Sequence, residues 1–321
     1  MSCRLTPARF RWAAPAAITT LIVLSGCTLT AGTVDAEAGA TAEAFGHIHG
    51  LGADPLTGNT YAATHHGVWL ISTADLPDSY LGGAEPGPPA APLQLAGGSQ
   101  DMMGFTVAVP GTLLASGHPD AHEASDLATP NLGLISSTDA AASWTNLSLA
   151  GRTDFHDLDA VPLPSGTLRV YGYDAGAGAL AISDDSGQTW TAGASLAMRD
   201  LTADRADSDR VLATTADGLA ESRDAGHSFQ LIADAPALLL VEAVDQSAGG
   251  GFVGIDAGGA VWRQDPATQA WSETGSTGRA PDALTFAGGN APWMLVADAA
   301  GIAGSDDYGA TWTDLLSLGG E

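Results

Sequence analysis

The sequence predicts an all-β chain folded as a six-bladed β-propeller, and three observations predict it. The first is a pattern of eight residues, Ser183-Asp184-Asp185-Ser186-Gly187-Gln188-Thr189-Trp190, which returns nearly unchanged at 305–312 and with substitutions at 222–229 and 137–144. Asp265 with Trp271 is a worn fifth copy. The second is the period: Asp139, Asp185, Asp224, Asp265 and Asp307 fall 46, 39, 41 and 42 residues apart, the length of a four-stranded blade. The third is that each copy follows a glycine and a short apolar run, as in Gly178-Ala179-Leu180 and Gly301-Ile302-Ala303. A sixth unit begins at Gly67-Val68-Trp69-Leu70-Ile71 and carries only the remnant Thr73-Ala74-Asp75. Seven blades is the alternative, the extra one assembled from the amino-terminal stalk and a Pro-rich stretch at 86–89.

The pattern makes physical sense as a tight turn between a third and a fourth strand. The aspartate accepts backbone N–H groups, the glycine takes a positive φ, and the tryptophan begins the next strand. These residues resemble the Asp-box, or BNR, repeat of β-propellers such as the sialidases. The resemblance implies that Asp139, Asp185, Asp224, Asp265 and Asp307 are structural, on the face opposite any ligand site.

Taken in chain order, residues 1–26 read as a targeting segment, with Arg4, Arg9 and Arg11 ahead of an apolar core. Leu24-Ser25-Gly26-Cys27 resembles a bacterial lipobox, which implies a lipid on Cys27 and a location outside the cytoplasmic membrane, with contact to the bilayer through that anchor alone. Residues 27–44, rich in Ala, Gly and Thr, are expected to form a flexible stalk, and 45–321 the propeller. Cleavage would leave a single cysteine and no intrachain disulfide. The 41 glycines and 17 prolines supply turns. All 11 basic residues are arginines, against 37 acids, for a formal net charge of −26, which excludes nucleic acid as a partner.

The inner strands are expected near His47, Asp101, Asp154, Met198, Leu239 and Pro281. Aligned on their apolar residues they put His49, Met103, His156, Arg199 and Asp282 in one column, with His47, Asp101 and Asp154 two residues earlier. The turns between second and third strands on the same face add His65 and His66 in blade one, and His118, Asp120, His122 and Glu123 in the long insertion of blade two. Seven of the eight histidines thus gather on one face of three consecutive blades. Imidazole, thioether and carboxylate in this grouping suit a transition metal, Cu or Zn. The candidate ligands are His47, His49, His65, His66, Met103, His118, His122 and His156.

Two other readings stand beside it. The chain resembles a group of exported bacterial propellers commonly labelled glycosyl hydrolases, which implies a carbohydrate ligand and an acid pair drawn from Asp101, Asp120, Glu123, Asp154 and Glu242. Sialidase chemistry is not carried: no Arg-Ile-Pro occurs, and there is no arginine between Arg11 and Arg152. The third reading is a scaffold for another exported protein. Replacing Cys27 with Ala is expected to release the protein from the membrane fraction or to leave it as a precursor; a correctly processed, membrane-bound C27A protein would refute the lipobox.

Overall fold

The structure, a computed structural model, describes residues 42–73, 75–76, 91–95, 98–120, 127–287 and 293–318. The expected targeting segment, Cys27, most of the stalk, His122 and Glu123 lie outside the described residues. Six four-stranded antiparallel sheets follow one another along the chain, each pairing its strands in sequence order from the channel outward. The protein is a six-bladed β-propeller.

Blade one comprises Ile48–Asp54, Asn59–Thr64, Gly67–Ile71 and the short outer strand Leu93–Gln94. Blade two comprises Asp101–Val109, Thr112–His118, Leu134–Ser137 and Thr145–Ser148. Blade three comprises Phe155–Pro162, Leu168–Asp174, Ala179–Ser183 and Thr191–Ala192. Blade four comprises Asp200–Ala203, Val211–Thr215, Gly218–Ser222 and Gln230–Leu231. Blade five comprises Leu238–Ala243, Phe252–Asp256, Ala260–Gln264 and Trp271–Ser276. Blade six comprises Pro281–Ala287, Trp293–Asp298, Gly301–Ser305 and Thr313–Ser317.

No single sheet has a core of its own, because a lone twisted sheet buries neither face. The apolar side chains instead form six clusters, one at each junction between neighbouring blades. Tyr61 and Val68 of blade one meet Met102 and Leu113 of blade two, and Val161 and Tyr171 of blade three meet Leu201 and Val211 of blade four. The ring closes where Ile48, Leu51 and Phe45 pack on Trp293, Leu295 and Leu316 of blade six. Among the described residues no blade borrows a strand from the far end of the chain, so this seam is held by side chains alone.

Four of the repeated turns share one hydrogen-bond network. In the best copy, the Ser183 hydroxyl donates to Asp185 Oδ1 at 2.7 Å, the Gly187 N–H donates to Ser183 Oγ at 2.9 Å, and Thr189 donates its N–H and hydroxyl to the two Asp185 oxygens at 2.8 and 2.6 Å. The same bonds recur around Asp139, Asp224 and Asp307. Hydrogen bonding holds the Asp185 and Asp224 carboxyls down at about 2. Asp265 differs: it accepts from the N–H groups of Ala267 and Thr268, forming a separate local turn without the preceding serine. The turns also tie blades together, since the Trp190 indole donates to Ser148 Oγ and the Trp312 indole to the Ser276 carbonyl, each on the preceding blade's outer strand.

Gly187 shows why the pattern needs its glycine. Its φ is +85°, and a Cβ there would stand 2.3 Å from Leu134 Cδ2 of the neighbouring blade. Gly187→Ala is therefore expected to cost about 1–3 kcal/mol of unfolding free energy from overpacking, read by denaturant titration. Asp185→Ala should lower the melting temperature. Unchanged stability in both variants would contradict a structural role for the turn.

Candidate functional site

The inner strands of five blades carry an irregularity at the same place. In blade one Ile48 pairs with Thr64 and Gly50 with Ala63, which leaves His49 as the extra residue of a β-bulge. Met103, His156, Leu239 and Asp282 are the corresponding extra residues of blades two, three, five and six. In blade four Arg199 takes the place, donating its N–H to the Thr214 carbonyl just before the ladder begins. A bulge bends its strand and re-aims the inserted side chain. The sequence column is thus made by bulges and not by strict alternation along the strands. In blade two Gly117, at φ +147°, permits the bulge: a Cβ there would lie 1.9 Å from the Asp101 carbonyl oxygen.

The bulges and the turns beside them build an arc of imidazoles and carboxylates at one mouth of the channel. Starting at blade six, Asp282 Oδ1 lies 3.3 Å from His47 Nε2. The His47 and His49 rings are 4.8 Å apart, and His49 meets His65 edge-on at 4.5 Å. His49 Nε2 lies 3.3 Å from His65 Nδ1 and 3.7 Å from Asp101 Oδ1, while His65 Nδ1 lies 2.8 Å from that same oxygen. These three atoms all fall within 4.8 Å of one another. His118 continues the arc, with Nδ1 3.9 Å from Asp101 Oδ2 and Nε2 3.4 Å from Asp154 Oδ2, which is also 2.8 Å from His156 Nε2. Asp154 Oδ1 is buried without a hydrogen-bond partner among the described residues.

Two imidazoles of the arc are shifted in opposite directions. Burial, reinforced by the neighbouring His65 and His47 rings, pushes the His49 imidazole down to about 4, so it is neutral at neutral pH. The hydrogen bond to Asp154 raises His156 above the ordinary histidine value.

Below the mouth the channel opens into a cavity of about 510 Å³ whose two walls are chemically unlike. Leu51, Phe105, Val107, Leu284 and Phe286 line one side, from blades six, one and two. Asp157, Asp159, Asp200, Arg205 and Glu242 line the other, from blades three to five. These side chains stitch neighbouring inner strands together. The Leu201 N–H donates to Asp157 Oδ2 at 2.5 Å, the Ala203 N–H to Asp159 Oδ2 at 2.7 Å, and the Val241 N–H to Asp200 Oδ2 at 2.6 Å. Arg205 bridges Asp159 and Glu242 at 3.1 Å each. Burial pushes the Asp157 carboxyl up to about 8, and Asp159 and Glu242 nearby add to the shift. Glu242 is likewise pushed up to about 8 by burial and by Asp159 and Asp200 against the pull of Arg205, and Asp200 is raised by burial and by Asp157.

Of the sequence candidates, the structure brings together His47, His49, His65, Asp101, His118, Asp154 and His156. Met103 lines the same cavity. His66 is exposed beside the cluster without joining it, its N–H donating to Thr64 Oγ1. Asp120 accepts from the Ser99 hydroxyl. Glu242 sits at the acidic wall with Arg205 and not in the arc of the mouth. Sequence reasoning missed Asp157, Asp159, Asp200 and Arg205.

No family model matches the chain, and no curated protein is recognisably similar to it. Solved structures are similar in fold. A GH74 xyloglucanase from Xanthomonas campestris shares 18% identity over 85% of this chain and 46% of its own, with a TM-score of 0.49. The chain thus spans less than half of that enzyme's length. YCF48 bound to D1 peptide shares 16% identity over 84% of this chain and 82% of the other, with a TM-score of 0.47. A nidogen/laminin complex has 11% identity and a TM-score of 0.56 over 80% of this chain and 92% of the other, a likeness of fold alone.

The acidic wall generates a pH dependence of defined sign. Asp157, Asp200 and Glu242 hold protons in the folded state to higher pH than in the unfolded chain, so their stabilising contribution is complete below about pH 4. For Asp157 and Glu242 it is lost as pH rises through about 8, and Asp200 acts in the same direction. The melting temperature is expected to fall between pH 5 and pH 9, and Glu242→Gln to flatten that fall. A melting temperature rising across this range in the wild type would contradict protonated carboxyls in the channel.

Proposed function

We propose that this propeller binds a divalent transition metal, Zn or Cu, at the mouth of its channel, with His49 Nε2, His65 Nδ1 and Asp101 Oδ1 as ligands. The observation that carries the reading is the spacing of those three atoms, 3.3, 3.7 and 2.8 Å. A tetrahedral ion with bonds of about 2.0–2.1 Å holds its ligand atoms roughly 3.3 Å apart. Two imidazoles and a carboxylate are a donor set such ions accept, with a fourth position left for an exchangeable ligand. His49 is neutral at neutral pH, so its lone pair is free for a metal without first losing a proton. His47 and His118, each within reach of a carboxylate, flank the three donors and restrain the rings around them.

The site is read as one that holds or hands on a metal ion outside the cytoplasmic membrane, with the chain anchored by a lipid on Cys27. The four like turns are read as Asp-boxes of the BNR type, supported by their shared hydrogen-bond network. The glycosidase reading has thinner support: Asp101 and Asp154 are engaged by histidines, and Glu242 by Arg205. Titration calorimetry with Zn²⁺ tests the metal reading. The wild type should bind one equivalent, and His49→Ala or Asp101→Ala should each weaken binding by about 100-fold or more. His66→Ala should leave affinity unchanged, as should His227→Ala, at the eighth histidine, which lies in the turn around Asp224. Equal affinity in wild type and His49→Ala would remove the site.

A further inference from the structure

The cavity that His49 lines is far larger than an ion requires. A metal with one or two waters occupies well under about 100 Å³, against about 510 Å³ here. Its apolar wall, with Leu51 and Phe105 buried and Leu284 beside them, offers nothing to a hydrated cation.

Arg199 is the second observation. Arg169, Arg205, Arg210, Arg223 and Arg279 each pair with carboxylates. Among the described residues Arg152, Arg199 and Arg263 have no carboxylate within ion-pair distance, and of these three Arg199 lines the cavity. It is exposed, and its Nη2 donates only a long hydrogen bond, 3.4 Å, to the Asp282 carbonyl. Asp282 in turn lies against His47, which touches His49. An exposed guanidinium with no carboxylate partner is open to an anionic ligand. Its planar fork is suited to a carboxylate.

We infer that the mouth takes its metal as the chelate of a small organic acid. The metal sits on His49, His65 and Asp101, a carboxylate of the chelator on Arg199, and the chelator's apolar face against Leu51, Phe105 and Leu284. The inference rests on the metal reading and names what fills the open coordination position.

Equilibrium dialysis of the full chain with Zn²⁺ and labelled picolinate, a flat chelating carboxylate, tests the inference, with zinc and picolinate measured separately. Zinc-loaded wild type should retain about one picolinate per zinc, and metal-free protein none. Arg199→Gln should keep zinc and bind picolinate about tenfold more weakly, the loss expected for a charge-assisted bond. Retained zinc without picolinate overturns the inference and leaves the metal reading intact. So does zinc stripped into solution by picolinate, picolinate held equally without zinc, or an Arg199→Gln protein that binds it as well as wild type. Failure to retain zinc at all removes the metal reading and the chelate with it.

Discussion

Six sheet edges converge on one channel, and the fold depends on what is done with them. The inner strand of every blade has a neighbour on one side only, so its remaining N–H and C=O groups face the axis and the next blade. Blades three to five answer with side chains: Asp157, Asp159 and Asp200 accept N–H groups of the following inner strand, and Thr202 accepts that of Ala243. Blades six, one and two answer with close packing, where Gly50 and Gly52 leave room for Phe105 and Val107. The chemical asymmetry of the channel is a by-product of two solutions to one backbone problem.

The same constraint shapes the mouth. A bulge interrupts the inner ladder in five blades at equivalent positions, and in four of them the freed residue, His49, Met103, His156 or Asp282, lines the channel cavity. What the blades differ in is the residue placed there: His49, Met103, His156, Leu239 and Asp282. A scaffold of near-identical units thus presents a ring of positions whose chemistry can be varied without disturbing the blades. Arg199 occupies the equivalent place in blade four, which makes it part of the same ring although its neighbours are histidines and a carboxylate.

Much of this was legible in the sequence because repetition makes weak signals add. The turn pattern and its period predicted six blades, and the column of His49, Met103, His156, Arg199 and Asp282 is the ring of bulged or equivalent positions. The bulges themselves were not legible, since one extra residue leaves no mark in composition. The acidic wall was missed for a different reason. Asp157, Asp159 and Asp200 read as solvated strand residues one at a time, and a buried carboxyl is recognisable only once its partners are in place. A signal was nonetheless present: counted from the bulge, Asp157 and Asp200 fall one residue on, and Asp159, Thr202 and Glu242 fall three on. The outlying Asp265 turn shows the reverse case, where a period correct to within a few residues masks a different local geometry.

The seam between blades six and one carries a consequence for how the protein assembles. Every other junction joins segments adjacent in the chain, while this one brings Ile48 and Leu51 against Trp293 and Leu316 from the opposite end of the sequence. Closing so long a loop carries the largest chain-entropy cost of the six junctions. His47 and Asp282 face each other across that seam. The arc at the mouth is therefore complete only in a closed ring, and any ligand that binds the complete arc favours that closed ring by mass action.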